Sequence, residues 1–148
     1  MLEKTRVERL LVNYYGVLQS LHLVALAVSG FWLLRAGDLG ALALPPQGGW
    51  TEQAMHLLIA TGLFDGLVAI GAVYFALHYR MDDPRSDVLG SATITGSLYS
   101  AAIYIYGTLR SGAVAEHPVI YGLVGLVFAP IIPLAIVFLG RRIRRQGG

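Results

Sequence analysis

Four long apolar stretches constrain this chain more than any other feature. They run roughly over residues 10–34, 54–78, 88–109 and 119–139, and each is about 21–25 residues long. At about 1.5 Å rise per residue, a helix of that length crosses a hydrocarbon core of about 30 Å. Lipid admits only helices and closed barrels, and these runs lack the strict alternation of barrel strands. The sequence therefore predicts an all-α polytopic membrane protein, with four transmembrane helices in one antiparallel bundle that forms a single domain over residues 1–148.

Composition excludes several other classes of protein. Charged residues make up 14% of the chain and hydrophobic residues 55%. A soluble domain has about 25% charged residues, so an ordinary globular enzyme is excluded. The chain has no cysteine, which excludes a disulfide framework, a thiolate metal site and a redox CxxC motif.

The distribution of lysine and arginine predicts the orientation of the bundle. The linker between the second and third spans and the two termini hold nine of these residues, whereas the other two linkers hold only Arg35 and Arg110. The nine are Lys4, Arg6, Arg9, Arg80, Arg85, Arg141, Arg142, Arg144 and Arg145. Because positive charge stays on the cytoplasmic side, both termini should face the cytoplasm of a bacterial or archaeal cell membrane. Charge confined to span ends indicates contact with lipid headgroups rather than nucleic acid.

A polar side chain lies about halfway along each of the first three spans, and a proline lies about halfway along the fourth. Counting inward places His22, Asp65, the Tyr99–Ser100 pair and Pro130 in one layer near the bilayer midplane. Asp65 is the one formally charged residue well inside a span, and such a charge costs about 2.5–3.5 kcal/mol on insertion scales. This cost makes Asp65 a candidate functional residue.

The neighbours of Asp65 on its helix predict where its side chain points. Thr61, Gly62 and Gly66 are small, so another helix can approach closely and the carboxyl should face the bundle interior. Beside His22, Asp65 could form an ion pair or share a proton, which suits a ligand or proton site. The alternative is that Asp65 simply joins helices by a hydrogen bond to His22, Thr61 or a hydroxyl of the third span.

The third and fourth spans carry further polar or irregular features. Thr93, Ser97, Ser100 and Tyr104 recur at helical spacing, so they could line a hydrated path or a ligand site, or only bond neighbouring helices. Pro130 and Pro133 should break the fourth span. Asp87 is the expected N-cap of the third helix.

A second polar cluster lies at the predicted outer rim. Glu52 and His56 are four residues apart at the start of the second span, and Glu116 and His117 precede the fourth. Together they could bind zinc or another divalent ion. His56 and His117 could instead ligate a b-type haem, although carboxylates at helix starts also simply complement the helix dipole.

Three functions remain open from the sequence. The first is a small transport or conduction protein, with His22 and Asp65 as its protonatable site. The second is a membrane subunit of a redox complex that binds haem b or quinone. The third is a membrane enzyme acting on a lipophilic substrate, with Asp65 and His22 as acid and base. The sequence does not identify the cofactor, ion or small molecule, and so short a chain favours a homo-oligomer or a larger membrane complex.

Overall fold

A computed structural model describes residues 5–40 and 43–146 of the chain, and this part is entirely helical outside its loops. The helices are α1 (Arg6–Ala36), α2 (Glu52–Arg80), α3 (Arg85–Arg110), α4 (Ala113–Glu116), α5 (Pro118–Phe128) and α6 (Ile131–Gln146). Four segments are long and apolar enough to cross a membrane, the fourth being α5 and α6 together, Pro118–Arg141. The predicted all-α fold with four potential spans is confirmed. Lys4 and the side chains of Arg142, Arg144 and Arg145 lie outside the described residues.

Side-chain caps set the starts of two of these helices, and a side chain just before the third supports its first turn. The Thr5 hydroxyl accepts a hydrogen bond from the Glu8 amide at 3.1 Å, and Thr51 caps α2 in the same way. At the start of α3, the Asp83 carboxylate accepts from the Arg85 amide at 2.8 Å. The predicted cap at Asp87 is therefore wrong, because the helix begins earlier and Asp87 lies in its first turn.

Proline breaks the fourth span. The helix α5 ends at Phe128 and α6 begins at Ile131, as the positions of Pro130 and Pro133 predicted. Pro130 has no N–H to donate to the preceding turn, so the helix cannot continue unchanged. Next to the break, the Tyr14 hydroxyl of α1 donates to the Val127 carbonyl at 2.7 Å. The break therefore gains a polar partner from another helix.

One half of the bundle is tightly packed, and we call it the closed half. Its core draws on α1, α2, α3 and α6, and consists of Val12, Tyr15, Leu18, Ala72, Phe75, Ala76, Tyr79, Ile94, Ile131, Leu134, Ala135 and Phe138. The helices approach so closely that a Cβ built on Gly16 would lie 2.6 Å from the Ala76 Cβ, and one on Gly90 would lie 2.5 Å from Phe138. Small residues thus permit the close packing of this half.

An ion pair closes the far end of this core. Glu8 of α1 is 1% exposed, and Arg141 of α6 lies 2.8 Å from one of its carboxylate oxygens and 3.0 Å from the other. Asp87 of α3 lies 3.6 Å from the same guanidinium. Three of the four spans are therefore joined by charge at this end.

The other half of the bundle is loosely packed, and we call it the open half. Here α5 makes its close backbone contacts chiefly with the short helix α4, whereas α6 packs against α1 and α3. The change occurs at the Pro130 break, which lets α5 stand apart from the other spans. The space between α5 and its neighbours forms the cavity described next.

Candidate functional site

A cavity of about 730 Å³ fills the open half between α1, α2, α3 and α5. Its inner end is bounded by Gln19 and Phe128, and its outer end by Leu109 and Pro118. Most of the lining side chains are aliphatic, aromatic or glycine. Its size falls in the range of about 300–1,000 Å³ that is typical of small-molecule sites.

His22 and Asp65 meet at the inner end of this cavity. The His22 Nε2 lies 2.7 Å from the Asp65 Oδ2, and the two side chains are 14% and 19% exposed. The Phe128 ring packs edge-on against the imidazole, with ring centroids 5.2 Å apart. The sequence placed both residues at one depth, and the structure brings them into direct contact.

A chain of hydrogen bonds leads from the cavity wall into the closed half. Gln19, three residues before His22 on α1, lies 3.1 Å from the Ser97 hydroxyl through its amide nitrogen. The Ser97 hydroxyl lies 2.8 Å from the Tyr15 hydroxyl, which is 3.0 Å from the Thr93 carbonyl. Gln19 and Tyr15 were not among the predicted site residues. The available signal was their position, since both share a helical face with His22.

The direction of each bond in this chain is determined. A carbonyl can only accept, so Tyr15 must donate its single proton to the Thr93 carbonyl. Ser97 must then donate to Tyr15, and Gln19 must donate to Ser97 through its amide NH₂. This fixes the orientation of the amide and leaves the Gln19 Oε1 as an acceptor.

Two buried oxygen atoms of the cavity wall lack partners among the described residues. The Gln19 Oε1 and the Ser100 Oγ have no hydrogen-bond partner within residues 5–40 and 43–146. Gln19 and Ser100 are only 1% and 2% exposed. Buried polar atoms are nearly always paired, so both atoms mark a place where polar chemistry is expected.

The candidate polar residues of the third span, the stripe and Tyr99, lie in three different environments. Ser97, Ser100 and Tyr104 line the cavity. Thr93 lies deeper, where its hydroxyl donates to the Leu89 carbonyl of its own helix at 2.8 Å. Tyr99 is 60% exposed on the outside of the bundle and is absent from the cavity wall.

Two of the four predicted rim residues bond to a loop, and the other two are exposed. The His117 Nε2 donates to the Pro45 carbonyl at 3.1 Å, and the Glu116 carboxylate accepts from the Gln47 amide. Glu52 and His56 are exposed. No group of three or more His, Asp or Glu side chains suited to a metal ion occurs in the described part of the chain. The rim therefore offers no assembled metal centre there.

These contacts instead secure a loop across the outer end of the cavity. The Tyr121 hydroxyl donates to the Leu44 carbonyl at 2.7 Å, and the Trp50 indole donates to the Ala43 carbonyl at 3.2 Å. Ala43 itself lines the cavity. The loop over residues 43–50 thus covers the end farthest from His22 and Asp65.

Comparisons of the chain with protein-family models, with curated proteins and with solved structures each found no match. Function is therefore inferred from the chemistry of the site.

Proposed function

We propose that the protein holds a lipophilic small molecule in the cavity of its open half and exchanges a proton with it through His22 and Asp65. The observation that supports this proposal is the position of the bonded His22–Asp65 pair at the inner end of an otherwise largely apolar cavity. A molecule dissolved in the bilayer would place its hydrocarbon part along the wall and its polar end against the pair. This corresponds to a membrane enzyme, or to a redox subunit that binds a quinone-like molecule.

The geometry of the pair suits proton exchange. The 2.7 Å bond leaves the His22 Nδ1 and the second oxygen of Asp65 for other partners. When the pair holds two protons it is neutral overall, and it offers an N–H donor beside a carboxyl acceptor. It can then give a proton to a bound group through Nδ1 and recover one through the carboxyl, as an acid–base pair does.

Two adjacent residues of α5 provide a matched test of cavity occupancy. Val124 lines the cavity, whereas Leu123 is 56% exposed and is not part of its wall. Val124→Trp should fill the cavity, and Leu123→Trp should add the same ring on the outside. We expect mass spectrometry of the detergent-purified protein to find a bound lipophile in the wild type and in Leu123→Trp, and to lose it in Val124→Trp. An identical set of bound molecules in all three proteins would refute the proposal.

Proton or ion transport is the second candidate function. It is favoured by the hydrogen-bond chain of Gln19, Ser97 and Tyr15, which extends from the cavity wall into the closed half. In liposomes, a transport protein should carry a proton or ion flux that Asp65→Asn abolishes and Tyr15→Phe reduces. Flux that is absent in the wild type would eliminate this candidate and leave the lipophile proposal unaffected.

We also propose that the four spans form an antiparallel bundle with both termini in the cytoplasm. Nine of the eleven Lys and Arg residues on one side of the predicted spans support this orientation. Because the chain has no cysteine, single substitutions can report the side directly. In intact bacterial cells, Gln47→Cys should react with a membrane-impermeant maleimide and Asp82→Cys should not. The reverse pattern would show that the orientation is wrong.

A further inference from the structure

We propose that the polar end of the bound molecule is an uncharged hydroxyl group, which donates a hydrogen bond to the acceptors at the inner end of the cavity. This inference rests on the proposed function, and it specifies the ligand as a lipophilic alcohol or phenol. It follows from the supply of donors and acceptors in the cavity wall and from the charge of that wall.

Apart from the Ser100 hydroxyl and the His22 ring, most hydrogen-bond donors of the wall are already used inside the protein. Thr61 donates to the Leu57 carbonyl at 2.7 Å, and Thr108 donates to the Tyr104 carbonyl at 2.8 Å. Tyr121 donates to the loop carbonyl of Leu44. The protons of Ser97 and of the Gln19 amide are committed to the chain that ends at the Thr93 carbonyl. These groups therefore have little left to offer an acceptor on a ligand.

The acceptors of the wall are in surplus. The Gln19 Oε1 can only accept, its orientation is fixed, and it has no partner among the described residues. The Asp65 carboxylate has a second oxygen beyond the one bonded to His22, and the Ser100 hydroxyl, which can accept as well as donate, is likewise unpartnered there. A ligand that carries an O–H can satisfy such acceptors. An ether or a plain hydrocarbon has no proton to donate, so it would leave the Gln19 Oε1 and the second Asp65 oxygen unpaired, which is unfavourable.

The charge of the wall selects against ionised head groups. The described cavity wall contains no Lys or Arg, so an anionic phosphate or carboxylate would have no dedicated counter-charge. Asp65 already has His22 as its partner at 2.7 Å, so an ammonium group would have to compete with the imidazole. A neutral hydroxyl avoids both costs.

Probes that differ only in their head group test this inference on the intact protein. We would measure by native mass spectrometry the binding of a C20 isoprenoid alcohol, its methyl ether and its primary amine. A prenylated hydroquinone and its dimethyl ether would distinguish a phenol from an aliphatic alcohol. In the wild type, a hydroxyl probe should bind about tenfold or more tightly than its ether, as expected for one buried hydrogen bond.

Variants test whether Gln19 is responsible for the tighter binding of the alcohol than of its ether. In Gln19→Met, which retains a side chain of similar length, the alcohol-to-ether ratio should fall toward one. Val124→Ala should change both affinities and preserve the ratio, because it alters only the apolar wall. Ser100→Ala provides a second polar variant if Gln19→Met fails to fold, and the wild-type ratio is independent of either.

Each remaining outcome has a defined meaning. Equal binding of alcohol and ether, lost for both in Val124→Trp, would overturn the hydroxyl inference and leave the proposed lipophile site standing. Tightest binding of the amine would overturn the requirement for an uncharged head. Failure of every probe to bind the wild type would count against the proposed function itself.

Discussion

Comparing Gly16→Ala with Gly30→Ala should show that the two halves of the bundle are packed differently. The Cβ of an alanine at position 16 would lie 2.6 Å from the Ala76 Cβ, where α1 and α2 cross. Neither atom belongs to a flexible side chain, so relief requires the helices themselves to move apart. Gly30 lies on the same helix in the open half, and a Cβ built there meets nothing within 4 Å. The two substitutions are chemically identical and differ only in the half of the bundle that receives the methyl group.

The expected magnitude follows from two opposing effects. Alanine is intrinsically better than glycine in a helix by about 1 kcal/mol, and this gain is common to both variants. Overpacking a filled core costs about 1–3 kcal/mol, and only Gly16→Ala incurs it. The difference between the two variants therefore isolates the steric cost. We expect Gly16→Ala to be less stable than Gly30→Ala by about 1–3 kcal/mol.

Reversible unfolding in mixed detergent micelles measures this difference. Helix content, followed by circular dichroism as the fraction of sodium dodecyl sulfate rises, gives the free energy of unfolding of each variant. Gly30→Ala should match or exceed the wild type, and Gly16→Ala should fall below it. Equal stabilities for the two variants would refute the division into a closed and an open half.

Three further predictions concern other parts of the fold. Glu8→Gln should lower the unfolding free energy by about 3–5 kcal/mol because it leaves Arg141 without its buried partner. Adding Arg141→Met to Glu8→Gln should recover much of this loss. Additive losses in the double variant would contradict the prediction. The Arg85 amide and the His78 ring hold the pKa of Asp83 below its ordinary 3.8, so its carboxylate contributes stability that is present above that value and is lost as the pH falls through the lowered pKa. Stability measured against pH should therefore fall less on the acid side in Asp83→Asn than in the wild type, and parallel curves would exclude a contribution from this charge. Tyr14→Phe removes the donor to the Val127 carbonyl and should cost about 1 kcal/mol of unfolding free energy, whereas an unchanged value would show that lipid-side solvation replaces the bond.

The contact between His22 and Asp65 could be predicted from the sequence because depth in a bilayer is encoded by position. Spans that cross the same slab must place their midpoints at the same level, so counting inward from each end aligns residues on different helices. The small residues around Asp65 further indicated which face approaches a neighbour. These two constraints sufficed to place a His and an Asp in one layer, and in the structure the two side chains lie 2.7 Å apart.

The depth of a residue in the bilayer does not tell which way its side chain faces around the helix axis. Tyr99 and Ser100 share the same depth, yet Ser100 is buried in the cavity wall and Tyr99 is exposed on the outside. Gln19 was missed for the same reason, since its role depends on which face of α1 meets Ser97. The rim residues depend on the path of a loop, and His117 bonds to the Pro45 carbonyl of that loop, a partner that helical spacing cannot reveal.

The Pro130 break allows one chain to combine a stable bundle with an internal cavity. If the fourth span were one continuous helix packed in the closed half, residues 118–128 would follow the axis of α6. They would then narrow the space beside His22. With the break, α6 keeps Phe138 in the core and Arg141 against Glu8, while α5 ends at Phe128 and stands apart from this core. The ring of Phe128 then lies against the His22 imidazole, at the point where close packing ends and the cavity begins. The cavity therefore depends on packing elsewhere, so mutations that weaken the Arg141 end should unfold the site before they alter its chemistry.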